Sequence, residues 1–166
     1  MKTIYSLRIY TLIGCLFVAA SVSGQTKAVK EAGIKKLLES KNFTFVAESA
    51  SPMSGGNIRL NSSDYRVSFY KDSLNSFLPY FGTAFRAQYG ATQSPLMFAS
   101  GDLTFETKTS KRGNQTHIVK INTPDDPDEM TLSISPSGYG TLQVISVNRQ
   151  PISFYGTITS NKENAE

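Results

Sequence analysis

Between Met130 and Ile158 the apolar residues fall on even numbers: Met130, Leu132, Ile134, Leu142, Val144, Ile152, Phe154 and Ile158. Side chains of a strand alternate between faces with period two, so the pattern describes one buried face repeated over three neighbouring strands. Ser133, Thr141, Gln143, Ser153, Thr157 and Thr159 fall on the opposite, wetter face, where Ile145 and Val147 imply partial cover. Ser135-Pro136-Ser137-Gly138 has Pro and Gly where a type I turn places them. Asn148-Arg149-Gln150-Pro151 ends in a Pro that can open a strand, because its missing N–H falls before the ladder begins. Parallel strands need crossovers of roughly a dozen residues. These links are far shorter, so the three strands form an antiparallel meander.

Upstream, Gln25 to Lys41 carries a helical pattern, with Val29, Gly33 and Leu37 at i, i+4 spacing and Ile34 and Leu38 beside them. The expectation is a helix packed against the sheet. Strand signals follow at Phe43/Phe45/Ala47, Ile58/Leu60, Tyr65/Val67/Phe69, Leu96/Phe98, Leu103/Phe105 and Thr116 to Ile121. The parity shift across Ser100-Gly101 marks a bulge or a turn. With no helical pattern between them, about 8–10 short strands imply a mainly β fold, a single antiparallel barrel or closed sandwich with one N-terminal helix. The domain is placed at residues 42–160, after the helix at 25–41 and before a disordered tail at 161–166.

The first 24 residues are read as an export leader. Lys2 and Arg8 precede an apolar run from Ile9 to Ala20, and Ser21-Val22-Ser23-Gly24 offers the small residues a signal peptidase requires. Cleavage is expected near Gly24 or Gln25, since the run is shorter than the roughly 20 residues of a membrane span. Leu12-Ile13-Gly14-Cys15 also fits a lipoprotein box, and only lipidation of Cys15 would tie the chain to a membrane. The apolar run continuing past Cys15 favours the first reading. Cys15 is the single cysteine, so the exported domain has no disulfide, thiol nucleophile or Cys-based zinc site. Losing Lys2 and Arg8 with the leader lowers the formal charge from +4 to +2, and no Arg-rich stripe remains, which excludes a nucleic-acid footprint.

The stretch from Phe77 to Tyr89, FLPYFGTAFRAQY, interrupts the regular spacing of strands. A long irregular connection in a small domain is commonly functional or a cover. Phe77, Tyr80, Phe81, Phe85 and Tyr89 therefore form the candidate site: they either line the mouth of a barrel that holds a small apolar ligand or plug its open end. His117, the only histidine, shares its strand face with Val119 and Ile121 and is expected near the edge of the core. Asp125, Asp126, Asp128 and Glu129 crowd a five-residue span that, with Pro124 and Pro127, reads as a solvated acidic link, since the spacing of a calcium loop is absent. No nucleophile elbow, metal cluster or phosphate loop is present, so neither an enzyme nor a cofactor is expected.

The segments FTFVAESASPM, KDSLNSFLPYFGTAF and SPSGYGTLQVISVNRQPISFYGTI, in this order, resemble the Bacteroidetes secreted proteins grouped as domain-of-unknown-function family 4251. The resemblance spans Phe43 to about Ile158, and its most specific phrases run from Leu78 to Gly82 and from Asn148 to Gly156. It implies a Gram-negative exported protein, periplasmic or envelope-associated, and carries no catalytic residues over. Asp72-Ser73-Leu74 is similar to the Asp-(Ser/Thr)-aliphatic pattern that Bacteroidetes use for O-glycosylation, which makes Ser73 a candidate for modification. Two function classes follow: a binding module for a small apolar or amphiphilic ligand, or a structural or protein-interaction component of the envelope.

Overall fold

The computed structural model describes residues 28–86, 94–111, 113–121 and 127–161. Residues 28–39 are helical (α1). The strands that follow are β1 Phe43–Pro52, β2 Ile58–Arg59, β3 Arg66–Phe69, β4 Leu74–Phe77, β5 Met97–Ser100, β6 Leu103–Thr109, β7 Gln115–Ile121, β8 Glu129–Ile134, β9 Tyr139–Ile145 and β10 Ile152–Ser160. All pairings among them are antiparallel, in the order β5-β4-β3-β1-β10-β9-β8-β7-β6, with β2 added to β1. Only Gly101 and Asp102 separate β5 from β6 in the chain, yet the two strands stand at opposite ends of that order. The sheet therefore curls until its edges approach, and the result is a nearly closed barrel.

The meander is β8, β9 and β10. Its even-numbered apolar residues are all buried, with Leu132 opposite Leu142 and Leu142 opposite Phe154. The β8–β9 link closes as the Pro and Gly require: the Gly138 N–H donates to the Ser135 carbonyl at 2.9 Å, and Gly138 sits at φ 87°, which a side chain disfavours. Ile145 and Val147 correct the expectation of a covered outer face, since both are exposed. Two isolated apolar residues on a wet face are ordinary surface.

Two further expectations change. The buried helix stripe is Ile34, Leu37 and Leu38, whereas Val29 is 71% exposed and Gly33 meets nothing. Only the C-terminal half of α1 lies on the barrel, where Ile34 Cδ1 packs against Gly138. Phe77, read as the start of an irregular segment, instead ends β4, whose Leu74 and Ser76 face inward. Four residues with one inward apolar side chain leave too short an alternation to be recognised as a strand.

The two barrel ends are closed differently. Leu38 is buried at the end where β1 begins, and Lys41 Nζ sits 5.2 Å from the centre of the Phe105 ring. Beneath them Phe43, Phe69, Phe105 and His117 pack as a ring cluster with neighbouring centroids 5.0–6.3 Å apart. At the opposite end, the chain after β4 crosses the β9–β10 link. There the Phe85 N–H donates to the Asn148 carbonyl at 2.8 Å, the Gln150 N–H to Thr83 at 3.1 Å, and the Tyr80 hydroxyl to the Gln150 carbonyl at 3.0 Å. Between the ends, Phe45, Val67, Leu74, Met130, Leu132 and Phe154 occupy the interior, each at most 1% exposed. No helix among the described residues is long and apolar enough to cross a membrane.

Candidate functional site

The described aromatics of the segment expected to form the site do not gather into one surface. Phe77 faces outward and stacks on Tyr65, with ring centroids 6.3 Å apart. Tyr80 and Phe81 are half-buried against the core, and Phe85 is 66% exposed. Tyr89 lies outside the described residues. Arg149 stacks on Tyr80 at 5.6 Å, adding to the hydrogen bonds that fasten this segment over the barrel end. Its described residues are thus held as a cover, with Leu78 completely buried beneath. Ser73 is half-buried in the β3–β4 turn, where its carbonyl accepts from the Tyr70 N–H at 2.8 Å.

His117 is deeper than the core edge expected of it, at 1% exposure, because β6 and β8 flank its strand and Phe43 packs over its ring. Its Nδ1 lies 3.0 Å from Thr107 Oγ1, while Nε2 has no hydrogen-bond partner among the described residues. Burial, helped by the Lys41 ammonium nearby, lowers its pKa from 6.5 to about 4, so the ring is neutral at physiological pH. Asp125 and Asp126 lie outside the described residues. Asp128 is engaged by the Val147 N–H at 2.8 Å, and Glu129 by the Thr131 hydroxyl at 3.2 Å. Among the described residues no three His, Cys, Asp or Glu side chains converge as a metal site.

A different place combines exposed aromatic and polar groups: the outer face of the sheet where β1 crosses β10. Ala47 pairs with Gly156 and Ser49 with Tyr155, so Glu48 is an extra residue, a β-bulge. Bulges bend a strand and re-aim a side chain, and they are frequent beside active sites. Here the bulge presses the Val46 carbonyl onto Gly156 so closely that a Cβ on Gly156 would lie 1.9 Å from that oxygen. Only glycine fits. Gly156 stands opposite Gly140 in β9, flanked by the pairs Tyr139–Thr157 and Thr141–Tyr155. These four residues put their side chains on the outer face, with Tyr139 61% and Tyr155 46% exposed.

Glu48 completes the arrangement. Its backbone carbonyl is held by the Leu60 N–H at 2.9 Å, and its carboxylate accepts from the Thr157 hydroxyl at 3.1 Å. The result is a groove of about 450 Å³ lined by Glu48, Tyr139, Thr141, Tyr155, Ser133 and Asn114, with Gly140 and Gly156 in its floor. Among the described residues Glu48 is the only carboxylate on this lining, so they do not assemble the paired carboxylates of glycoside hydrolysis here. What the groove offers is rings, hydroxyls, an amide and one fixed acceptor.

The signal for this site was present in the sequence at two points. Inward parity runs Phe43, Phe45, Ala47 and then Ala50 and Pro52, a switch that places an odd residue between Ala47 and Ala50. Tyr139 and Tyr155 are aromatics on the wet parity of an otherwise regular meander. The regular alternation around them hides the signal, because it reads as scaffold.

Fold and surface together define a barrel-like antiparallel β domain with a packed interior and a groove on its outer face. The chain belongs to the family described as a domain of unknown function (DUF4251), which matches residues 25–158. It is similar in fold to the crystal structure of a DUF4251 family protein from Bacteroides eggerthii DSM 20697, determined at 1.95 Å. The TM-score is 0.54 at 15% sequence identity, over 80% of this chain and 89% of that one. A comparison with curated proteins finds no match.

Proposed function

We propose that this protein is an exported, non-catalytic binding component of the bacterial cell envelope that works through its outer surface. The observation that carries this reading is the contrast between the two sides of the sheet. Inside, Phe43, Phe45, Phe69, Phe154 and Leu132 are at most 1% exposed and pack on one another. Outside, the bulged groove presents two exposed tyrosines and a held carboxylate. The leader-like residues 1–24 support export, and the lack of a nucleophile or paired-acid motif in the sequence supports a role without chemistry.

The other reading is a container for a small apolar or amphiphilic ligand at the Phe77–Tyr89 end. It draws on the exposure of Phe85, but Tyr80 and Phe81 are committed to closing that end. Solvent extraction of protein purified from the native envelope, followed by mass spectrometry, separates the two. The surface reading expects a chain that begins near Gln25 and carries no stoichiometric apolar molecule. A stoichiometric lipid would return the ligand to the interior, and a full-length cytoplasmic protein would remove the envelope role.

A further inference from the structure

We infer that the groove between Glu48, Tyr139 and Tyr155 is a site for a neutral saccharide, an assignment that rests on the outer-surface reading above. The floor of the groove excludes recognition through the backbone. β9 is hydrogen-bonded to β8 and β10, and β10 to β9 and β1, so an extended peptide finds no free strand edge there. A ligand must be held by side chains alone.

Those side chains are of two kinds. The exposed rings of Tyr139 and Tyr155 stand diagonally across the Gly140–Gly156 pair, one on each side of it. A ring of this kind offers an apolar face with a polar tip, which suits a pyranose that has C–H groups on its faces and hydroxyls around its rim. Around the rings lie Ser133, Thr141 and Asn114, whose side chains make no hydrogen bond to another described residue. Glu48, already held by Thr157, is a carboxylate with acceptor capacity to spare for sugar hydroxyls.

Charge narrows the class further. Among the described residues Glu48 is the only charged side chain on the lining, so a phosphate, a nucleic acid or an acidic sugar meets its repulsion with no cation among them to compensate. A purely apolar ligand would cover the hydroxyls of Ser133 and Thr141 and the amide of Asn114 without giving them hydrogen-bond partners, which disfavours it. At about 450 Å³ the groove suits a short run of sugar units, within the roughly 300–1,000 Å³ of small-ligand clefts. The bulge explains why such a surface sits on a regular sheet. Inserting Glu48 brings a carboxylate from β1 beside the tyrosine pair of β9 and β10.

The test is calorimetric titration of the purified protein with neutral tetrasaccharides of glucose, mannose and N-acetylglucosamine, with a galacturonic acid tetrasaccharide as the anionic counterpart. The expected result is binding of at least one neutral tetrasaccharide and none of the anionic one. Tyr139→Ala and Tyr155→Ala should each weaken that binding about tenfold without lowering Tm. Glu48→Gln should weaken it while keeping the fold. If no neutral tetrasaccharide binds, or if binding ignores both tyrosine substitutions, the assignment is overturned. Should a different envelope component occupy the groove, only the saccharide class fails. A lipid extracted from the interior would instead overturn the surface reading itself.

Discussion

His117 is a buried base whose protonation works against the fold. In the folded chain it resists protonation down to about pH 4, whereas the unfolded ring accepts a proton below the ordinary 6.5. Between those values the unfolded state binds more protons, so stability is full above pH 6.5 and falls as the pH drops. The loss should approach roughly 3 kcal/mol at pH 4, about 1.4 kcal/mol per pH unit. Denaturant melts at pH 7, 5.5 and 4 measure it. His117→Phe should remove this part of the slope at little cost at pH 7, because Thr107, the partner left behind, is exposed. A slope unchanged in His117→Phe would contradict the account. Gly156 makes the second residue-scale prediction. With the Val46 carbonyl 1.9 Å from any Cβ there, Gly156→Ala should destabilise by about 3 kcal/mol or more, measured by urea unfolding. Gly140→Ala should cost less, since its Cβ would meet the side chains of Phe45 and Leu132 at 3.3–3.4 Å. Sequence placed His117 on the correct strand face. Its depth was not legible, because that depends on Phe43 and Lys41 arriving from a strand and a turn remote in the chain.

Among the elements, the meander was the most legible because each of its strands alternates against one buried face, and Ile134, Leu142 and Phe154 all fall where the parity puts them. β4 was not legible: Leu74-Asn75-Ser76-Phe77 buries a serine whose hydroxyl donates to the Leu96 carbonyl at 2.8 Å, a role that hydropathy hides. α1 was legible as a helix, but its buried face depends on where the barrel end meets it. Leu38→Ala should therefore cost about 2–5 kcal/mol, as a buried large-to-small change. Val29→Ser, in the exposed first turn, should stay within about 0.5 kcal/mol. Thermal melts of the pair check this, and equal losses would mean that α1 lies on the barrel by its other face. The β1 bulge was legible in principle from the parity switch after Ala47. Its consequence was not, since the partner it presses against is Gly156, far along the chain.

At the scale of the molecule, one sheet separates two environments. The inner face is spent on packing, with Leu38 and the ring cluster at one end and the chain around Tyr80 fastened across the other. Composition and parity foretold that division. They pointed to the aromatic-rich Phe77–Tyr89 segment as the working surface, because aromatic density in a sequence does not distinguish a plug from a pocket. The outer face, by contrast, tolerates change where it does not touch the core. Tyr139→Ser with Tyr155→Ser should leave Tm within a few degrees, since both side chains are largely in water. The most direct test of the division is an amide-shift map of the isotope-labelled protein titrated with solubilised native envelope material. The account predicts shifts concentrated at Glu48, Tyr139 to Thr141 and Tyr155 to Thr157, absent in the double tyrosine variant. Shifts concentrated instead at Val119, Leu132 and Phe154, in the barrel interior, would contradict it.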